Sequence, residues 1–109
     1  MKIAICQINP IVGDFDYNHN ILLKYYKKCI CLNANIIVFP ELIICGYPHQ
    51  DLLWEDGFVD QNLLNLNKIA SVSSIPLIFG FIRKENGQLF NSAAVCFDGK
   101  LQSSFHNIK

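Results

Sequence analysis

The chain has little charge and no surplus of either sign: 17% of its 109 residues are charged, nine basic against nine acidic. Without a basic surplus there is no electrostatic footprint for nucleic acid. The densest positive group, Lys24, Lys27 and Lys28 on one predicted helix, reads as a solvated face. Long apolar runs are also missing. The longest, such as Ile36 to Phe39 and Pro76 to Ile82, fall far short of the roughly 20 residues that cross a bilayer, so no membrane partner is expected. The five cysteines form no CxxC pair, are odd in number and follow no leader-like segment. That combination predicts reduced thiols in a cytoplasmic protein. Cys29 and Cys31 lie on different sides of a helix with no histidine close by in sequence, so no zinc site is expected. No repeat and no low-complexity tract interrupts the chain.

What remains is a core-forming composition, 51% hydrophobic, which at this length allows one globular domain at most. Lys2 to Asn9 is apolar on nearly both sides and reads as a buried central strand. Pro10 to Asp16 is a turn, after which Tyr17 to Asn33 carries Ile21, Leu22, Tyr25, Cys29 and Leu32 at helical spacing with lysines opposite. Asn35 to Phe39 is a short apolar run that reads as a second strand parallel to the first, and strand, helix, strand implies a right-handed crossover.

Pro40 to Gly57, with two prolines, two glycines and no period, is predicted as a long loop at the carboxyl end of a parallel strand, where sites tend to form. Phe58 to Ser73 restores a helical pattern through Phe58, Leu63, Leu66, Ile69 and Val72, and Pro76 to Ile82 makes a third buried strand. Asn86-Gly87 and Asp98-Gly99 are hairpin turns, so Gln88 to Phe97 and Lys100 to Phe105 continue as an antiparallel meander. The fold class is α/β in βαβαβββ order.

Glu41 is the first candidate for chemistry, because Phe39-Pro40-Glu41 places a carboxylate just past the end of an apolar strand. Partial burial there would suit it to general acid or base work. From position alone, a Glu after a strand is more often a solvated loop residue or a helix cap, and that reading takes precedence until more is added.

A resemblance spread along the whole chain adds to this. Ala4-Ile5-Cys6-Gln7-Ile8-Asn9-Pro10 with Gly13-Asp14, Ile37-Val38-Phe39-Pro40-Glu41-Leu42, Gly46-Tyr47-Pro48 and Asp51-Leu52-Leu53 resemble the carbon-nitrogen hydrolase (nitrilase) superfamily. Gly46-Tyr47-Pro48 and Asp51-Leu52-Leu53, with Asn91-Ser92-Ala93-Ala94-Val95 and Asp98-Gly99, resemble more narrowly the glutaminase domain of glutamine-dependent NAD synthetase. The resemblance implies the amino-terminal portion of an αββα sandwich, with residues 1–109 forming part of a glutaminase domain and the synthetase domain absent. It also implies a Glu-Lys-Cys constellation that hydrolyses glutamine and supplies ammonia for NAD formation. Glu41 stands at the general base and Tyr47 at the glutamine pocket, although a loop aromatic capping the core explains Tyr47 equally well. No cofactor is assigned to these residues, since ATP, magnesium and the pyridine nucleotide precursor would belong to the synthetase domain. A flavodoxin-like binding module fits the βαβ order but lacks a Gly-rich phosphate loop.

Two departures from the family pattern matter more than the matches. The family's nucleophile lies beyond its lysine, and none of the five cysteines matches that motif. Cys45, four residues after Glu41, is not assigned the role, and Cys6 and Cys96 are read as packing residues. A gapless match sets Asn107 on the lysine position and Lys109 two residues late. In a strand that keeps the side chain on the same face but shifts its root by roughly 6.6 Å, about the reach of a lysine stem. Lys109 is therefore the candidate lysine, and His49 and Gln50 depart from the residues that often follow Gly46-Tyr47-Pro48. The chain alone is expected to be inactive: either a truncated glutamine amidohydrolase domain or a decayed, non-catalytic fragment. Half a sandwich would leave a sheet edge and an apolar face uncovered, so poor solubility or homo-oligomerisation is expected.

Overall fold

The computed structural model describes residues 1–46 and 57–106. Its elements are β1 (Ile3–Ile5), α1 (Phe15–Cys31), β2 (Ile36–Val38), α2 (Phe58–Ser71), β3 (Leu77–Glu85), β4 (Gln88–Phe97) and β5 (Lys100–His106). The βαβαβββ order holds. The strands form one sheet in the order β1-β2-β3-β4-β5, parallel from β1 to β3 and antiparallel from β3 to β5. The change of direction falls at the first connection too short for a crossover. Asn86 and Gly87 take φ of 51° and 76°, the two positive angles that a two-residue hairpin requires.

Both helices pack on one face of the sheet. Leu22, Tyr26 and Cys29 of α1 and Leu66, Ile69 and Ala70 of α2 share one core with Ile37, Leu77, Phe79, Ala94 and Cys96. Asp14 starts α1 by accepting the Tyr17 N–H at 3.1 Å, one of the donors a helix start leaves unpaired. The buried stripe of α1 is Asn18, Leu22, Tyr26 and Cys29, rotated from the predicted one, and Leu32 lies exposed outside the helix. The Tyr26 hydroxyl explains the shift. It donates to the Ile75 carbonyl at 3.1 Å and accepts the N–H groups of Ser74 and Ile75 at 2.9 and 3.1 Å, holding the approach to β3.

The prediction of β1 as a buried central strand is corrected: β1 is an edge of the described sheet and three residues long. Ile3 and Ile5 are 55% and 72% exposed, because among the described residues the sheet's second face has no covering layer. On that face Ile5, Val38, Ile78 and Val95 stand in register across four strands, as the apolar row that a second sheet would cover in an αββα sandwich. Among the described residues there is one sheet and one helical layer, half of that arrangement. No described helix is long and apolar enough to cross a membrane.

Candidate active site at the end of the second strand

β2 ends at Val38, but the chain stays beside β3 for two more residues. Phe39 N–H donates to the Ile78 carbonyl at 2.8 Å and Gly80 N–H to the Pro40 carbonyl at 3.3 Å. The backbone then crosses the face of β3 at Gly80. A methyl group added there would stand 2.4 Å from the Leu42 nitrogen and 2.7 Å from the Glu41 Cα, so only glycine admits this crossing. Leu42 follows with φ of 54°, a left-handed conformation that costs a bulky residue about 1–3 kcal/mol and must be held by its surroundings.

Those surroundings are specific. Leu42, Ile43, Ile44 and Cys45 are all buried, and the Gly46 N–H closes the turn onto the Leu42 carbonyl at 2.8 Å. The fully buried Asn18 of α1 receives the Ile11 N–H at 2.7 Å and donates to the carbonyls of Ile11 and Ile44, each at 2.9 Å. One side chain thus ties the loops after β1 and β2 to the same helix. Reading 40–57 as an irregular loop missed this buried turn, although the continuous apolar run Leu42-Ile43-Ile44-Cys45 was its signal.

Glu41 stands at the head of this turn, on the sheet face away from the helices. The burial anticipated for it is not found. Glu41 is exposed, because that face is uncovered, and its Oε1 accepts a hydrogen bond from Asn91 Nδ2 on β4. Glu41 and Asn91 border an open cleft of about 380 Å³ with Phe39, Gly80, Ala93 and Phe105. In sequence Asn91 is only part of a motif; nothing local connects it to Glu41. Gly80 did have a signal, since a lone glycine inside a strand pattern marks a close backbone approach. Tyr47 and Lys109, together with Asn107, His49 and Gln50, lie outside the described residues. Among the described residues no three His, Cys, Asp or Glu side chains gather in a way that could hold a metal ion.

The thiols near this region do not suit nucleophilic work. Burial pushes the Cys45 thiol up to about 12, and it donates to the Gly46 carbonyl at 3.2 Å. Burial also raises Cys96 to about 11. Burial and then the neighbouring Cys29 sulfur, 3.5 Å away, raise Cys6 to about 12. At neutral pH all three are protonated and poorly nucleophilic. The sign of the linkage follows: a raised native pKa favours the folded state fully below the thiol's unfolded value, and this contribution is lost as pH climbs through about 9 towards about 12. The urea midpoint is therefore expected to fall steadily from about pH 8 to about pH 11, and less steeply in Cys45→Val. A parallel fall in both proteins would refute the assignment.

The geometry defines an α/β protein with a carboxylate site at the carboxyl end of its parallel strands. A carbon-nitrogen hydrolase profile matches residues 2–106, and the chain belongs to that family. Over 98% of its length it is 34% identical to the glutamine-dependent NAD(+) synthetase of Acinetobacter baylyi, and over 99% it is 29% identical to that of Thermotoga maritima. It spans 20% and 19% of those relatives, about a fifth of their length. The solved glutamine-dependent NAD+ synthetase of Acinetobacter baumannii superposes with a TM-score of 0.89 at 31% identity, covering 98% of this chain and 20% of that one. An amidase from Nesterenkonia sp. superposes with a TM-score of 0.87 over 100% of this chain and 43% of its own, at 19% identity. At that identity the likeness is one of fold, and the chain forms part of a nitrilase-type fold.

Proposed function

We propose that the chain is part of a glutamine amidohydrolase domain of glutamine-dependent NAD synthetase, in which Glu41 is the general base. The observation that carries this reading is the Glu41 carboxylate, set by a strained turn over Gly80 and hydrogen-bonded to Asn91 at the border of a cleft. Membership of the carbon-nitrogen hydrolase family supports it. In the proposed reaction a cysteine from outside these 109 residues loses its proton to Glu41 and attacks the amide carbon of glutamine. The developing oxyanion is stabilised by a lysine; Glu41 then passes the thiol's proton to the amide nitrogen, so that the C–N bond breaks, ammonia leaves and a thioester remains. Water, deprotonated by the regenerated carboxylate, attacks the thioester, freeing glutamate as the thiolate takes the proton back. Lys109 is the proposed lysine and Tyr47 a proposed contact to glutamine. ATP, magnesium and the pyridine nucleotide precursor would be bound outside this chain. Cytoplasmic location is proposed on the same grounds.

The experiment joins residues 1–109 to the remainder of the Acinetobacter baylyi relative and measures ammonia release from glutamine. The joined protein is expected to be active, and Glu41→Gln to lower kcat by at least about a hundredfold, as for loss of a general base. Lys109→Ala should abolish activity and Asn107→Lys should restore it. Ammonia release indifferent to Glu41 would refute the role of that residue. A second reading, a non-catalytic fragment, is favoured by Asn107 at the lysine position. It predicts a folded joined protein that releases no ammonia until Asn107→Lys is introduced, or none at all.

A further inference from the structure

Asn91 belongs to β4, fifty residues further along the chain than the carboxylate it meets. It pairs across the hairpin with Ile82, while Gly80 pairs with Ala93. Because side chains alternate along a strand, Asn91 and Ala93 point to the same face as the missing side chain of Gly80. Two residues of strand separate Asn91 from the Gly80–Ala93 row, roughly 6.8 Å. The bare backbone at Gly80 lets Glu41 lie low on the sheet, and the amide of Asn91 meets its carboxylate from the next row. Gly80 and Asn91 together fix both the root and the tip of one side chain.

We infer that Asn91 is a positioning residue for Glu41, its side-chain N–H holding the carboxylate in the orientation in which that group takes a proton. The inference rests on the reading of Glu41 as the base. A neutral amide suits this role, because it orients a carboxylate without cancelling its charge, as an arginine or lysine would. The amide orientation is itself determined, since a flipped Asn91 would turn Oδ1 against the carboxylate oxygen. Among the described residues Asn91 Oδ1 is buried without a hydrogen-bond partner. The amide is therefore held by its donor side, on Glu41.

Two measurements test this, and they fail separately from the glutaminase reading. In the joined protein, active or not, NMR should show the Asn91 Nδ2 protons exchanging with solvent at least about tenfold faster in Glu41→Ala. The Glu41 Cγ methylene should become as mobile in Asn91→Ala as that of a surface glutamate. Unchanged exchange and unchanged order would overturn the inference whatever the activity. In the joined enzyme, Asn91→Ala should lower kcat by about 10- to 100-fold with KM altered less than about threefold, the signature of a misdirected rather than a missing base. Asn91→Asp, of the same shape but with an acceptor facing a carboxylate, should lower kcat further, and Asn91→Gln should recover part of the Ala loss. An active enzyme in which Asn91→Ala and Asn91→Asp leave kcat unchanged overturns it. If the unsubstituted joined enzyme releases no ammonia, the glutaminase reading fails and the NMR pair alone decides the placement of Glu41.

Discussion

Gly80→Ala is expected to destabilise the chain by about 1–3 kcal/mol and to dislodge Glu41, although it adds a single methyl group to a strand. The obstacle is backbone. The new Cβ would meet the Leu42 nitrogen at 2.4 Å, the Glu41 Cα at 2.7 Å and the Glu41 carbonyl carbon at 3.0 Å, and main chain cannot rotate away as a flexible side chain can. The turn beyond it has no slack to yield. It is held by the Gly46 to Leu42 bond, by Asn18, and by the Gly13 N–H on the Cys45 carbonyl at 3.0 Å. Gly46 also abuts Val12 so closely that a methyl group there would stand 2.9 Å from its Cα. The thermal midpoint should therefore drop by roughly 5–20 °C. In the joined enzyme glutamine hydrolysis should fall about as far as in Asn91→Ala, because a displacement near about 1 Å is enough to misdirect a base. A Gly80→Ala protein with the parent's midpoint and the parent's Glu41 position would show that the crossing is looser than described.

Asn62→Leu should cost more, roughly 2–6 kcal/mol, through two main-chain groups left unpaired. Beyond Pro40 the chain leaves the edge of β3, so the Ile82 N–H and carbonyl on that side lose any strand to pair with. The fully buried Asn62 of α2 takes the place of a strand residue. Its Nδ2 donates to the Ile82 carbonyl, and its Oδ1 accepts the Ile82 N–H at 3.3 Å. Leucine has similar volume and satisfies neither. Asn62→Asp keeps the acceptor but sets a carboxylate against the Ile82 carbonyl, so it should be less stable at neutral pH than in mild acid. Urea unfolding gives the magnitude, and hydrogen exchange at the Ile82 amide gives the cause. That amide should lose protection in Asn62→Leu beyond what global destabilisation accounts for. Equal protection after correction for stability would rule out the peptide-like role.

These two positions mark the boundary of what the sequence makes legible. Gly80 stands in a strand pattern as a lone glycine, a local irregularity with a known meaning. Asn62 stands in a helical pattern as an ordinary polar residue, and nothing in its neighbours marks it for complete burial. The same divide separates β4 from β1. Gln88–Phe97 is delimited to the residue, because Asn86-Gly87 and Asp98-Gly99 impose positive φ at defined positions. β1 reads as central because its side chains are apolar on both sides, yet it lies at an edge with Ile3 and Ile5 exposed. An apolar residue reports the burial its position is built for, not which element provides it. The helical stripes likewise follow their period, but the buried side includes Asn18 and Tyr26, whose hydrogen bonds to distant main chain settle the rotation of α1.

By itself, then, the sequence determined the order of strands and helices, the two hairpins, the family and the candidacy of Glu41. Each of these rests on residues within a few positions of one another: periodicity, turn chemistry, or a short motif. Only the tertiary structure decided that Glu41 lies over Gly80 and against Asn91, that Cys45 is sealed in the core, and that two buried asparagines stand in for missing main-chain partners. Those facts depend on contacts made across the sheet by residues far apart in the chain, and such contacts come into being only when the backbone's own hydrogen-bonding demands have been met in three dimensions.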